Sequence, residues 1–162
     1  MFVEPPCIMK TLKQMLRSHP HADLQRDDAY AAVAETLTNC AQMCISCSDA
    51  CLAEPVYIGA LRRCMRTSLD CADVCNVTAR LIVRQTETSS ELVHAQLHAC
   101  VLACRVCADE CSQHAKAHEH CRICAEICRH GQERCNFLLG EISSSGVEEE
   151  SINPTESPSL SH

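Results

Sequence analysis

The apolar positions of this chain recur with the period of an α-helix, and many of them are cysteines. Over most of residues 23–139, apolar or Cys residues stand at i, i+4, i+7 and i+11, with polar and charged residues between them. This spacing places one stripe of each segment on a shared face. Prolines and glycines interrupt the pattern and mark helix ends. The predicted helices cover residues 8–18, 23–53, 58–85, 90–116 and 118–139.

The connections between the long segments are short, so consecutive helices should lie antiparallel. The predicted fold is all-α: an antiparallel four-helix bundle over residues 23–140, preceded by a lead and short helix in residues 1–22. The fourth long helix should end at Gly140. Residues 141–162 are rich in Ser, Glu and Pro and have no apolar period, so we expect a disordered tail.

Fifteen of the sixteen cysteines, here called the stripe cysteines, take positions where a bundle normally places Leu or Ile. Eight of them form two copies of one spacing, 60 residues apart, which suggests a duplicated helical hairpin. Every long helix carries one copy of Cys-[Ala/Ser]-[Asp/Glu]-x-Cys. The stripe cysteines are Cys40, Cys44, Cys47, Cys51, Cys64, Cys71, Cys75, Cys100, Cys104, Cys107, Cys111, Cys121, Cys124, Cys128 and Cys135. Cys7 lies outside the stripes and is expected to be a free thiol without a role.

The stripes become apolar towards one end of the predicted bundle. Antiparallel helices bring these apolar residues together, and they should close that end of a thiol-lined tube. The connections from the first to the second long helix and from the third to the fourth should lie at the opposite, open end. The closing residues are Tyr30, Val33, Leu37, Ile82, Val93, Leu97, Leu138 and Leu139.

Composition and charge exclude several classes of partner. The formal net charge is −7, the arginines are dispersed, and there is no Trp, so a nucleic-acid interface is not expected. No apolar run reaches the length of a membrane span, and the first residues do not resemble a signal peptide. We therefore expect a cytoplasmic protein, whose thiols stay reduced and are more suited to metal than to disulfides.

Soft sulfur ligands select Cu(I), which accepts two thiolates three or four residues apart on one helix. A zinc ion with four thiolates carries a net charge of −2, and stacking several such sites in a low-dielectric tube is costly. One Cu(I) per thiolate is neutral. The sequence therefore favours many Cu(I) ions, on the order of one per stripe cysteine. It contains no nucleophile–base pairing and no nucleotide-binding loop, so an enzyme is not expected.

Three histidines should stand at the open end of the tube. His114 and His118 continue the stripe of the third long helix beyond Cys111, and His120 precedes Cys121. As neutral imidazoles they could accept incoming metal. For each of them, a solvated loop histidine is an equally good interpretation.

The repeated helical Cys-x3-Cys units and the His-rich turn from His114 to His120 resemble the cytosolic branch of the bacterial copper storage proteins. The resemblance covers about residues 23–139. It implies a bundle that holds many Cu(I) ions on the stripe cysteines, with entry at an open end lined by the three histidines, assembled as a homotetramer. A copper chaperone is a further candidate partner. Two residues depart from the pattern: Ser68 stands where the stripe of the second long helix expects a thiol, and Gly131 interrupts the stripe of the fourth.

Three alternatives remain. A zinc or cadmium buffer akin to metallothionein would use four-cysteine sites across helices. An iron–sulfur electron carrier would use the same thiols, although its motifs need irregular loops around the cluster. A redox or thiol-interaction scaffold is the third.

Overall fold

The structure, a computed structural model, describes residues 8–145 of the chain, in which all regular secondary structure is helical. The predicted short helix and four-helix bundle are confirmed. The helices are α1 (Ile8–Arg17), α2 (Leu24–Leu52), α3 (Ile58–Ile82), α4 (Ser90–His114) and α5 (Glu119–Ser145). Residues 1–7, with Cys7, and residues 146–162 lie outside this range.

Two of the long helices begin at residues whose side chains cap free backbone amides. The Asp23 carboxylate accepts hydrogen bonds from the backbone N–H groups of Gln25 and Arg26, at the start of α2. Ser89 does the same for the N–H of Leu92 at the start of α4. Such caps satisfy amides that have no partner inside the helix.

The end of α5 corrects the sequence prediction. The helix continues through Gly140 to Ser145, so the first five residues of the predicted disordered tail are helical. A glycine inside a helix costs about 1 kcal/mol relative to alanine, but Ile142 lies beyond it and packs against the apolar core. This packing contact offsets the free-energy cost of the glycine. The rest of the predicted tail lies outside the described residues.

The four long helices form a closed ring around one core. α2 packs against α3 and α5, and α4 packs against the same two helices, while α1 lies on α2. Ion pairs from Lys13 and Arg17 to Asp28 attach α1 to α2, and the Leu16 side chain of α1 is buried. Within residues 8–145, no helix combines the length and the apolar character that crossing a membrane requires.

An apolar plug closes one end of the ring, as predicted. It consists of side chains that are at most 8% exposed, together with the half-buried Tyr30. The buried members are Val33, Leu37, Ile82, Val93, Leu97, Leu138 and Leu139. The α2–α3 connection (residues 53–57) and the α4–α5 connection (residues 115–118) lie at the other end, which we call the open end.

Candidate metal centre

All fifteen stripe cysteines point into the bundle. Each is at most 2% exposed, and all are free thiols. The helical spacing explains this arrangement, because residues three and four apart occupy one face of a helix and that face is turned inward on all four helices. The structure thus brings together every cysteine that the sequence analysis assigned to the interior.

The sulfur atoms of different helices lie within reach of a shared metal ion. The Sγ atoms of Cys44 and Cys128 are 3.4 Å apart, as are those of Cys64 and Cys111. Within α4, the Sγ atoms of Cys107 and Cys111 are 4.0 Å apart. With a metal–sulfur bond of about 2.3 Å, two ligands of a tetrahedral ion stand about 3.8 Å apart. The empty lining is therefore already spaced for coordination.

The thiols form overlapping groups rather than separate sites. In each group the sulfur atoms all lie within 4.8 Å of one another. Cys40 and Cys71 belong to two of these groups, and so do Cys44 and Cys128. The groups include Cys40/Cys44/Cys71/Cys128, Cys40/Cys71/Cys75/Cys104, Cys44/Cys107/Cys124/Cys128, Cys47/Cys51/Cys64/Cys121 and Cys47/Cys111/Cys124. Since members are shared, simultaneous occupation of these groups requires bridging thiolates.

The thiols influence one another's ionisation. Interactions with Cys107 and Cys124, together with burial, raise the pKa of the Cys128 thiol. Burial, followed by the neighbouring Cys64, raises the pKa of Cys51 to about 12. By contrast, hydrogen bonds from Cys104 and then Cys128 lower the pKa of Cys40, because they stabilise its thiolate. The lining can therefore hold a thiolate beside neutral thiols that donate hydrogen bonds to it.

His120 is the histidine that contacts the thiols. Its Nδ1 atom lies 3.5 Å from the Sγ of Cys121, 3.6 Å from that of Cys47 and 3.9 Å from that of Cys51. Its Nε2 atom is buried and, within residues 8–145, has no hydrogen-bond partner. The side chain therefore joins the thiol lining at the open end, where the sequence analysis expected it.

His118 lies beside His120 at the open end. It is 7% exposed, and its Nδ1 atom is 3.2 Å from Oε1 of Glu54. The rings of Tyr57 and His120 lie against it, with centroids 5.3 and 5.4 Å away. A carboxylate on one ring nitrogen fixes the orientation of an imidazole and leaves its other nitrogen available to a metal. Glu54 was not predicted as part of this site; its only signal was its position in the α2–α3 connection, at the same end of the bundle as the His-rich turn.

His114 also lies near the open end, but its ring is paired with a carboxylate. Its Nε2 atom is 3.3 Å from Oε1 of Glu110, whose other oxygen accepts a hydrogen bond of 2.8 Å from Arg63 on α3. Among the described residues, none of its contacts reaches a thiol. Of the three predicted histidines, the structure therefore brings only His120 into direct contact with the cysteine network.

The two departures from the pattern both line the tube. Ser68 is fully buried, and its Oγ atom lies 3.6 Å from the Sγ of Cys107. A Cβ atom placed on Gly131 would lie 3.3 Å from the Sγ of Cys104 and 3.6 Å from that of Cys40. The space that a side chain would fill on α5 is thus left to two sulfur atoms of the lining.

Comparisons with known proteins agree with this geometry. A copper storage protein from Streptomyces lividans, in a structure loaded with 10 copper equivalents, is 44% identical; the alignment has a TM-score of 0.76 and covers 80% of this chain and 98% of that one. A structure of a cytosolic copper storage protein from the same organism, loaded with five coppers, is 46% identical with a TM-score of 0.68 and covers 70% of this chain and 93% of that one.

A bacterial relative is also described as rich in cysteine. An uncharacterized cysteine-rich protein of Bacillus subtilis is 33% identical over 107 residues, which are 66% of this chain and 93% of that protein. The family model of the copper storage proteins matches residues 26–140, which contain all fifteen stripe cysteines and the three histidines. The chain belongs to the copper storage protein family.

Proposed function

We propose that this protein stores Cu(I) by binding many ions to the fifteen stripe cysteines inside its bundle. The observation that carries the proposal is the overlap of the sulfur groups, in which Cys40, Cys44, Cys71 and Cys128 each belong to more than one. A thiolate that serves two ions lowers the number of ligands that each ion requires. The store can then hold on the order of one Cu(I) per cysteine.

Charge favours copper over a divalent ion. The sulfur spacings of 3.4–4.0 Å suit zinc as well as copper. Several zinc ions with four thiolates each would leave −2 per site in a buried tube, whereas one Cu(I) per thiolate leaves no net charge. A zinc or cadmium buffer is therefore the weaker alternative.

Two further alternatives lack a matching feature. Iron–sulfur motifs need irregular backbone around the cluster, but all fifteen stripe cysteines lie within regular helices. A redox scaffold works through accessible thiolates, and these thiols are buried. We infer a storage role without catalytic turnover, in which the metal is cargo.

The open end supplies a route for the ion. We propose that copper first binds His120 with Cys47, Cys51 and Cys121, because these four side chains already lie together. His118, oriented by Glu54, would bind or guide the ion just outside this position. His114 would take part once an incoming metal displaces Glu110 from its ring. The thiols give up their protons as the metal binds.

The outer surface offers a site for self-association. Val74, Leu102 and Val106 line an apolar groove between α3 and α4, and Val77, three residues beyond Val74 on α3, is about half exposed. Exposed apolar patches of this kind mark protein interfaces. We propose that copies of this chain associate there as a homotetramer. We also propose that the protein works in the cytosol, as its Streptomyces relative is described to do, and that a copper chaperone delivers the copper.

Parallel loading with two metals tests the function. The reduced protein is incubated without oxygen with excess Cu(I) or excess zinc, and the bound metal is counted by native mass spectrometry. The copper form should carry more than ten ions, whereas zinc should stop at about three or four, the number of four-thiolate sites that fifteen cysteines allow. Equal numbers of the two metals would favour the divalent buffer.

A further inference from the structure

Ser68 interrupts the row of thiols on the inner face of α3. It lies between Cys64 and Cys71 and is fully buried. Its Oγ atom is 3.6 Å from the Sγ of Cys107 and 3.8 Å from that of Cys111. A neutral hydroxyl is a much harder ligand than a thiolate and is a poor match for Cu(I). At this level of the tube, α3 therefore contributes no soft ligand.

The neighbouring sulfur group reflects this gap. Cys47, Cys111 and Cys124 form a group of three, with one cysteine each from α2, α4 and α5. Ser68 contacts one of its members, Cys111, from the remaining helix. A thiol at position 68 would add α3 to this group. The distances of 3.6 and 3.8 Å match the spacing between sulfur atoms elsewhere in the lining, so a cysteine fits there without displacing its neighbours.

One set of cysteines lies on each side of the level of Ser68. The outer set, towards the open end, is Cys47, Cys51, Cys64, Cys111 and Cys121. The inner set, towards the plug, is Cys40, Cys44, Cys71, Cys75, Cys100, Cys104, Cys128 and Cys135.

Cys107 and Cys124 connect the two sets. The Sγ of Cys107 is 4.0 Å from those of both Cys111 and Cys44, and the Sγ of Cys124 is 3.7 Å from that of Cys44. Along α3 the step from the outer to the inner set spans seven residues, about 10 Å of helix. No thiol bridges that step on this helix.

We infer that Ser68 divides the copper store into an outer set that fills first and an inner set that fills through Cys107 and Cys124. The inference rests on the proposed storage of Cu(I). An ion moves inward when the next thiol binds it and loses its proton, while the thiolate left behind takes up a proton; the oxidation state does not change. Transfer is fast where successive sulfur atoms lie within bonding reach of one ion. At the level of Ser68, cysteines from α2, α4 and α5 line this path, and α3 supplies no sulfur atom.

The test compares rates of copper uptake in the full-length protein. Cu(I) is mixed rapidly with the reduced protein without oxygen, and copper–thiolate absorption in the ultraviolet is followed with time. The wild type should fill in a fast and a slow phase. Ser68→Cys should bind one more ion and speed the slow phase several-fold. Ser68→Ala removes the hydroxyl without supplying a thiol, so both phases should remain.

A matched control adds a thiol elsewhere on the same helix. Thr78 is fully buried on α3, beyond Cys75 and next to the plug. Thr78→Cys lengthens the inner set without joining the two sets, so the slow phase should keep its wild-type rate. The inference is overturned if Ser68→Cys leaves the slow phase unchanged or if Thr78→Cys accelerates it equally. A wild type that binds only one or two ions overturns the storage function itself.

Discussion

The inward side chains at the two ends of this bundle are equally buried, but they differ in chemistry. At the plugged end Leu37, Leu97 and Leu138 are fully buried, and towards the open end Cys64 and Cys111 are buried to the same degree. Burying a Leu side chain contributes about 1.5–3 kcal/mol, and a smaller cysteine contributes less. The difference teaches that apolar bulk at one end stabilises the fold, which leaves the other end free to bind metal.

Polar contacts between helices compensate for the small side chains near the open end. Arg63 on α3 donates a hydrogen bond of 2.8 Å to Glu110 on α4, whose side chain is only 8% exposed. Glu54 and His118 connect the two turns of the open end. Charge-assisted hydrogen bonds to partly buried groups are stronger than those on the open surface. These contacts hold the helix ends in place around a lining of small side chains.

The largest expected effect comes from truncating the plug. Leu97→Ala should lower the free energy of unfolding by about 2–5 kcal/mol, because it removes a fully buried side chain and leaves a cavity. Urea denaturation of the metal-free protein measures it. Leu92→Ala on the same helix is the control, since Leu92 is 54% exposed and its truncation should change stability by less than about 0.5 kcal/mol. Equal losses would contradict the division between the ends.

Changing the pH should act on the thiol lining in two opposite ways. Thiols whose pKa is raised by burial, such as Cys51 at about 12, are protonated at pH 7, and each of them releases its proton when a metal ion binds. Copper affinity should then fall about tenfold, or 1.4 kcal/mol, for each pH unit of acidification. Chelator competition at pH 6, 7 and 8 measures this. An affinity that does not change with pH would contradict it.

Stability of the metal-free protein should change in the other direction. A thiol whose pKa is raised on folding stabilises the native state below its unfolded pKa of about 8.5, and that contribution is lost as the pH rises towards the folded value. Urea denaturation of the metal-free protein should therefore show falling stability above about pH 8.5. A constant midpoint up to pH 10 would argue against neutral thiols in the folded lining.

Removing a single shared thiol should reduce storage more than stability. Cys128 belongs to two sulfur groups, so Cys128→Ala should lose one or two ions while costing about 1 kcal/mol of stability. Metal counting by native mass spectrometry and urea denaturation give the two numbers. Cys7→Ala changes a cysteine outside the stripes and should leave both unchanged. An unaltered copper count in Cys128→Ala would remove this residue from the site.

The smallest effect is expected at Gly131. Gly131→Ala should improve helix propensity by up to about 1 kcal/mol, but its Cβ would lie 3.3 Å from the Sγ of Cys104 and needs that side chain to shift. The metal-free protein should therefore change little in stability, while the copper count falls by about one because the sulfur can no longer settle around an ion. Mass spectrometry measures the count. Gly140→Ala is the control, since its Cβ meets nothing within 4 Å.

The main outline of the molecule follows from the helical period of its cysteines and leucines. That period fixes which face of each helix turns inward, and short connections fix the antiparallel order, so the tube, the plug and the position of His120 could be predicted. The end of α5 could not, because the packing of Ile142 on the core outweighs the local signal of Gly140. Local propensity is a weak guide wherever tertiary contacts oppose it.

The polar partners of the histidines differ in how far a sequence reveals them. Glu110 and His114 are four residues apart on α4, a spacing at which helical side chains meet, so that pair follows from the helical period. The contact between Glu54 and His118 joins two different turns and depends on how neighbouring helices are placed, which the period of a sequence does not determine. The same holds for Ser68, whose proximity to Cys107 and Cys111 requires the relative height of α3 and α4.

The central claim, a copper store of high capacity, is tested most directly by counting. Cu(I) is added without oxygen to the reduced protein in competition with a strong chelator, and the metal-to-protein ratio is read at saturation. With fifteen free thiols in the lining, the ratio should rise to roughly fifteen, on the order of one Cu(I) per thiolate. Saturation at one or two ions per chain would contradict the account.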